Sequence, residues 1–141
     1  MRVEASARHL AFHGAIVLLV GLACGAPYAR AVNRGASEGV VHSWRVAHAA
    51  LPIGAILMFA VAALLSSFAV ATSVKWLIAV ALIISSYAFC LSLPLAAVVG
   101  HRGLSAGGPA SAKLVFAGNL VGAWASVIGT LAFTYAAFAS L

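Results

Sequence analysis

Four long apolar segments limit this 141-residue chain to a membrane-embedded fold. The hydrocarbon core of a bilayer is about 30 Å thick, and about 20 apolar residues of helix cross it. Backbone polar groups in lipid must bond within a helix or a closed barrel, and these segments lack the alternation typical of barrel strands. The sequence therefore predicts an all-α, four-helix transmembrane bundle forming one domain over residues 1–141. The helices are expected at about residues 10–32, 47–71, 74–99 and 114–141.

The composition supports this prediction and excludes several classes of protein. The chain is 65% hydrophobic and 7% charged, whereas soluble domains contain about 25% charged residues. A chain of this length cannot bury so much apolar surface in one soluble core. The net charge is +6, but the Lys and Arg residues lie at segment ends rather than in a stripe, which argues against nucleic-acid binding.

Few side chains in the sequence can do chemistry. There is no Asp, and the two acidic residues, Glu4 and Glu38, lie outside the apolar segments. This excludes paired-carboxylate catalysis, a Ser-His-Asp triad and a carboxylate relay through the membrane. The two cysteines, Cys24 and Cys90, form no CxxC motif and are predicted to be buried free thiols. The histidines remain as candidate ligands.

His48 is the most informative histidine because it lies where the second apolar segment begins. An ionisable residue that enters the bilayer is a functional candidate, and neutral imidazole is the usual nitrogen ligand of haem iron. Interfacial hydrogen bonding is the alternative role. His13 and His101 are further candidates, but His13 is expected on the order of 25 Å from His48, near the opposite membrane face. His101 is expected near the same membrane face as His48 and is therefore a possible second ligand of the same iron.

Two arginines lie beside these histidines. Arg45 precedes His48 by three residues, and Arg102 directly follows His101. Arginine makes planar, two-pronged contacts with carboxylates, so both are candidate partners of haem propionates. Membrane orientation by basic residues is the alternative explanation for both.

Three short motifs, in this order, resemble the styrene oxide isomerase family. They are R-H-L-A-F-H-G from Arg8 to Gly14, W-R-V-A-H from Trp44 to His48, and H-R-G-L from His101 to Leu104. The resemblance implies a multi-pass protein of the bacterial inner membrane that assembles as a homotrimer. It also implies haem b held by one histidine, which corresponds to His48, with Trp44, Arg45 and Arg102 as further cofactor-binding residues. The implied activity is epoxide-to-carbonyl isomerisation, with ferric iron as the Lewis acid.

The sequence departs from the family pattern where the family carries polar residues around the substrate. The corresponding positions are Gly54, Ser85, Phe89 and Leu93. The resemblance therefore implies a retained haem site and an altered substrate site, suited to a small apolar substrate, such as an epoxide, that enters from the bilayer. The substrate pocket is expected to include Phe59, Tyr87, Phe89 and Asn119, with Tyr87 and Asn119 as the candidate catalytic residues.

Two other functions remain open from the sequence. One is a haem protein for electron transfer or ligand sensing, in which His101 or a histidine of another subunit completes a six-coordinate iron. The other is a structural membrane protein without a cofactor, whose histidines lie at the membrane interface.

Overall fold

The computed structural model describes residues 4–141, and these contain helices and no strands. The span Ala5–Asn33 has a short interruption, and each of the four spans is long and apolar enough to cross a membrane. The predicted four-helix membrane bundle is therefore confirmed. The helices are α1 (Ala5–Ala23), α2 (Gly25–Asn33), α3 (Glu38–Leu65), α4 (Thr72–Val99) and α5 (Ala110–Phe138).

Helix α3 starts well before the predicted boundary near residue 47. Its first residue is Glu38, after Ser37 in extended backbone, and an acidic residue in the first turn complements the helix dipole. The polar residues before the apolar segment thus extend the helix beyond the membrane core. His48 consequently lies in the third turn of α3 rather than at its start.

The first span is interrupted at Cys24, which the sequence pattern did not predict. Helix α1 ends at Ala23 and α2 begins at Gly25. Pro27 lacks the amide hydrogen that would bond to the Ala23 carbonyl, so the regular helical ladder cannot continue through this point. Both cysteines are free, as the sequence predicted, and Cys24 is buried, but Cys90 is half-buried rather than buried.

Helix α4 lies at the centre of the arrangement and packs against α1, α3 and α5. Among the helices of residues 4–141, only α4 has its backbone close to that of α5, so the backbones of α3 and α5 are separated. Small residues let α5 approach α4 closely. A Cβ at Gly122 would lie 2.8 Å from the ring of Phe89, and one at Gly118 would lie 2.9 Å from Cβ of Ser92.

An ion pair joins the start of the chain to α4. Nζ of Lys75 donates a hydrogen bond to Oε2 of Glu4 at 2.9 Å, and the two side chains are 10% and 24% exposed. Removing one member of a buried ion pair leaves the other charge uncompensated.

We expect Glu4→Gln to destabilise the protein by roughly 2 kcal/mol, below the 3–5 kcal/mol typical of fully buried pairs because Glu4 retains solvent contact. Lys75→Met should destabilise the protein less than Glu4→Gln, since it removes the buried charge and keeps the apolar stem. Thermal unfolding of both variants in the same detergent checks this order. Equal losses would show that leaving the Lys75 charge uncompensated adds no destabilisation.

Candidate functional site

The imidazole of His48 is fixed by one backbone hydrogen bond. Its Nδ1 lies 3.0 Å from the carbonyl oxygen of Gly21. A carbonyl only accepts hydrogen bonds, so Nδ1 donates and carries the proton. The lone pair of the neutral ring is then on Nε2. Metal-binding histidines are typically held in this way, with the second nitrogen bonded to a carbonyl or carboxylate.

The interruption of the first span explains why the Gly21 carbonyl can accept this bond. In a continuous α-helix that carbonyl would accept from the amide of Gly25, but α1 ends at Ala23. Pro52 makes a matching change in α3, because it lacks the amide that would bond to the backbone carbonyl of His48. Both helices therefore depart from regular bonding at the level of His48.

Two glycines allow α3 to approach the first span at this level. A Cβ at Gly21 would lie 2.5 Å from Cδ of Pro52 and 2.9 Å from Cβ of Leu51. A Cβ at Gly25 would lie 3.0 Å from Cε1 of His48. Any side chain at Gly21 would push α3 away, and one at Gly25 would displace the imidazole.

Tyr28 covers the imidazole on the same side of the first span. The rings of Tyr28 and His48 are stacked with centroids 6.1 Å apart and planes inclined by 26°. Nε of Arg45 donates to the Tyr28 hydroxyl at 3.2 Å, and the guanidinium carbon lies 6.0 Å from the ring centroid. Arg45 is exposed and keeps further N–H donors that could bind an anionic group. Sequence reasoning missed Tyr28, although it is seven residues after Gly21 and thus on the same helical face.

The other predicted cofactor residues occupy different surroundings. Trp44 is partly buried and packs against the core that includes Cys24 and Leu51. Arg102 is exposed and lines a shallow cleft of about 310 Å³ with Glu38 and His42.

His101, the candidate second ligand, is exposed in the loop between α4 and α5. No hydrogen bond or ring contact joins it to His48 in the described part of the chain. The described residues also contain no group of three or more His, Cys, Asp or Glu side chains that could hold a metal ion.

The two candidate catalytic residues form hydrogen bonds with partners away from His48. The hydroxyl of Tyr87 is 2.8 Å from Nδ1 of His13. Nδ2 of Asn119 donates to the backbone carbonyls of Arg102 and Gly103 at 3.2 and 3.4 Å, so Asn119 holds the loop before α5. Neither contact brings Tyr87 or Asn119 to His48.

The expected distance between His13 and His48 was too long. His48 bonds to Gly21, which follows His13 by eight residues, or about 12 Å of helix. Even so, this separation is several times an iron–nitrogen bond, so both histidines cannot bind one iron within a single chain. The error arose because α3 begins well before His48 rather than close to it. The imidazole therefore lies near Gly21, in the middle of the first span, and not at its end.

A cavity of about 740 Å³ lies between α3, α4 and α5, and its walls are almost entirely apolar. Of the four residues expected in a pocket, Phe89 lines it, whereas Phe59, Tyr87 and Asn119 lie outside its lining. The lining includes the four positions expected from the sequence to lie around the substrate, namely Gly54, Ser85, Phe89 and Leu93.

His48 and the cavity lie on opposite faces of α3. Val46 and Ala50 line the cavity, and each is two residues from His48. At about 100° per residue, each lies about 200° around the helix from His48. The imidazole therefore faces the first span, and the cavity opens on the other side of α3.

Comparison with known proteins identifies a family that the chain matches. The sequence model of a family described as styrene oxide isomerase matches residues 6–138, which include nearly the whole of all four spans. No curated protein sequence matches the chain.

Proposed function

Because the chain belongs to the styrene oxide isomerase family, we propose that it is a haem b protein of the bacterial inner membrane that converts an apolar epoxide to a carbonyl compound. Membership of the family supports an isomerase-type, multi-pass membrane protein in general terms. The cofactor, the reaction and the particular membrane are the proposal. The observation that best supports the proposal is the hydrogen bond from Nδ1 of His48 to the Gly21 carbonyl, which leaves the lone pair of Nε2 available to bind iron.

The surroundings of His48 fit a haem iron ligand. Gly25 has no side chain to obstruct the imidazole, and Tyr28 stacks on the ring and limits its rotation. Nε2 of His48 would bind the iron, and the free N–H groups of Arg45 would bind a propionate. Trp44 and Arg102 are proposed as further cofactor contacts. The exposed position of His101 gives less support to the six-coordinate alternative.

The reaction needs little from acidic or basic side chains. One carbon–oxygen bond of the epoxide breaks, a hydride moves from the oxygen-bearing carbon to the neighbouring cationic carbon, and the oxygen becomes that of a carbonyl group. Atoms and electrons are conserved within the substrate, so no oxidant, reductant or water is consumed. Bound ferric haem would supply the electron-pair acceptor for the epoxide oxygen. This chemistry agrees with a chain whose two acidic residues lie at Glu4 and Glu38, away from His48.

The protein would contribute dry surroundings. A cationic carbon in contact with water would give a diol, so the hydride shift requires that water be excluded. The almost entirely apolar walls of the cavity provide such surroundings.

We further propose that the active site forms between copies in a homotrimer. His48 and the cavity face opposite sides of α3, so the cavity of one copy can meet the His48 region only of another copy. Native mass measurement in mild detergent should give three chains with bound haem. A monomer that retains haem and activity would contradict this arrangement.

Deuterium labelling tests the reaction. An aryl epoxide with two deuterium atoms on its terminal carbon should give an aldehyde that keeps both, because the hydride moves within the substrate. The reaction should proceed without oxygen or a reductant. Formation of a diol, loss of deuterium to water, or a requirement for a reductant would contradict the proposed isomerisation. Protein without haem is the control and should give no aldehyde.

A further inference from the structure

We propose that the cavity between α3, α4 and α5 binds the hydrocarbon part of a substrate considerably larger than one aromatic ring, and that Gly54 keeps the cavity open. This inference rests on the proposed function and specifies its substrate class. It depends on three independent properties of the cavity: its size, its lining and the glycine in its wall.

The size of the cavity favours a large ligand. Its volume is about 740 Å³. An apolar cavity of about 150 Å³ is sufficient for benzene, and sites for drug-sized molecules range from about 300 to 1,000 Å³. A single-ring epoxide would leave most of this space empty, and a fused-ring or long-chain epoxide would occupy more of it.

The lining offers apolar contact and little hydrogen bonding. Among the described residues, no charged side chain lines the cavity, and Phe89 and Phe133 contribute aromatic rings. The lining serines already donate their protons: Ser85 to the Gly122 carbonyl, Ser86 to Sδ of Met58 and Ser126 to the Ala123 carbonyl. Thr130 supplies the remaining lining hydroxyl. The ligand would therefore be recognised by its shape and apolar surface.

Gly54 differs from the glycines that serve helix packing. A Cβ at Gly21, Gly118, Gly122 or Gly129 would meet a neighbouring atom within 3.0 Å, whereas a Cβ at Gly54 would meet nothing within 4 Å. Glycine inside a helix is less favourable than alanine. Since packing does not require glycine at position 54, the absent side chain serves to leave space in the cavity it lines.

The position of the cavity gives an apolar ligand access from the bilayer. The backbones of α3 and α5 do not approach each other closely within the described residues, so the cavity lies in a gap between two membrane-spanning helices. A substrate dissolved in the lipid could enter without crossing water.

Filling the cavity at Gly54 tests the inference. Gly54→Leu adds a side chain into the open space, and Gly54→Ala adds one methyl group while improving helix propensity. Ala63→Leu is the matched control, because Ala63 is exposed on the same helix and outside the lining. The haem-loaded proteins are compared on styrene oxide and 2-naphthyloxirane by kcat/KM. Binding of the unreactive 2-vinylnaphthalene is measured as a rise in Tm.

The wild-type protein should prefer 2-naphthyloxirane. Gly54→Leu should lower the ratio of the two kcat/KM values at least tenfold, within the range that small steric misfits produce. The ratio for Gly54→Ala should lie between the ratios of the wild type and Gly54→Leu, and the ratio for Ala63→Leu should equal that of the wild type. An unchanged ratio in Gly54→Leu would overturn the inference.

The binding measurement separates this inference from the proposed function. If neither epoxide is isomerised, but 2-vinylnaphthalene raises the Tm of the wild type and not of Gly54→Leu, the isomerase proposal fails and the binding site stands. If 2-vinylnaphthalene affects both proteins equally, the cavity assignment fails. A co-purified acyl chain that is lost in Gly54→Leu, with no effect of 2-vinylnaphthalene, would assign the cavity to lipid and also overturn the inference.

Discussion

Replacing His48 by alanine is expected to abolish haem retention while the protein still inserts and folds. The variant loses Nε2, the proposed iron ligand, and leaves the Gly21 carbonyl without its donor. Insertion depends on the apolar helices, which remain unchanged. The haem content, measured as the ratio of haem absorbance to protein absorbance in purified protein, should fall from near one haem per chain to near zero. Added imidazole should partly restore a haem spectrum by occupying the vacated position.

His42→Ala is the matched control for this variant. His42 is an exposed histidine of the same helix, and it lines the shallow cleft with Glu38 and Arg102 rather than the site beside Gly21. It should keep both haem content and spectrum. If His48→Ala carried haem at the wild-type ratio with an unchanged spectrum, the ligand assignment would be wrong.

Replacing Gly21 by leucine is expected to separate α3 from the first span and to remove haem binding indirectly. Even a Cβ would lie 2.5 Å from Cδ of Pro52, so the helices must move apart. Overpacking of this kind typically costs about 1–3 kcal/mol, and we expect a loss of roughly 3 kcal/mol because a whole side chain must be accommodated. The displacement would also break the bond from His48 to the Gly21 carbonyl.

Ala23→Leu distinguishes this effect from added bulk alone. Ala23 is exposed and lies two residues further along α1. Its variant should keep wild-type stability and haem content, as measured by thermal unfolding and absorbance. Equal behaviour of the two leucine variants would show that the close contact at Gly21 is not required.

The sequence predicted the spans well and their ends less well. Twenty apolar residues identify a membrane helix, but they do not show how far the helix continues into water. Glu38 to Arg45 are polar enough to resemble a loop, yet they form the first turns of α3. The interruption at Cys24 was missed because its cause, Pro27, lies near the end of an otherwise continuous apolar segment.

The candidate site could be predicted only in part, because its contacts join residues distant in sequence. His48 was recognisable by its position, whereas its bond to Gly21 joins residues 27 positions apart and depends on helix packing. Tyr87 and Asn119 were chosen as polar groups in apolar surroundings, but the structure pairs Tyr87 with His13 and Asn119 with the loop before α5. The cavity was predicted only in part: Phe89 lines it as expected, whereas its size depends on the separation of α3 and α5, which the sequence does not show.

The absorption spectrum of the purified protein during addition of an aryl epoxide tests the central claim most directly. We predict a Soret band of high-spin, five-coordinate ferric haem that shifts as the epoxide binds, while aldehyde accumulates. The His48→Ala protein should show neither the band nor the product. A low-spin spectrum that the epoxide does not change would favour a six-coordinate haem protein. A fully folded protein without a Soret band, even after haem is supplied, would contradict the proposal that His48 holds a haem.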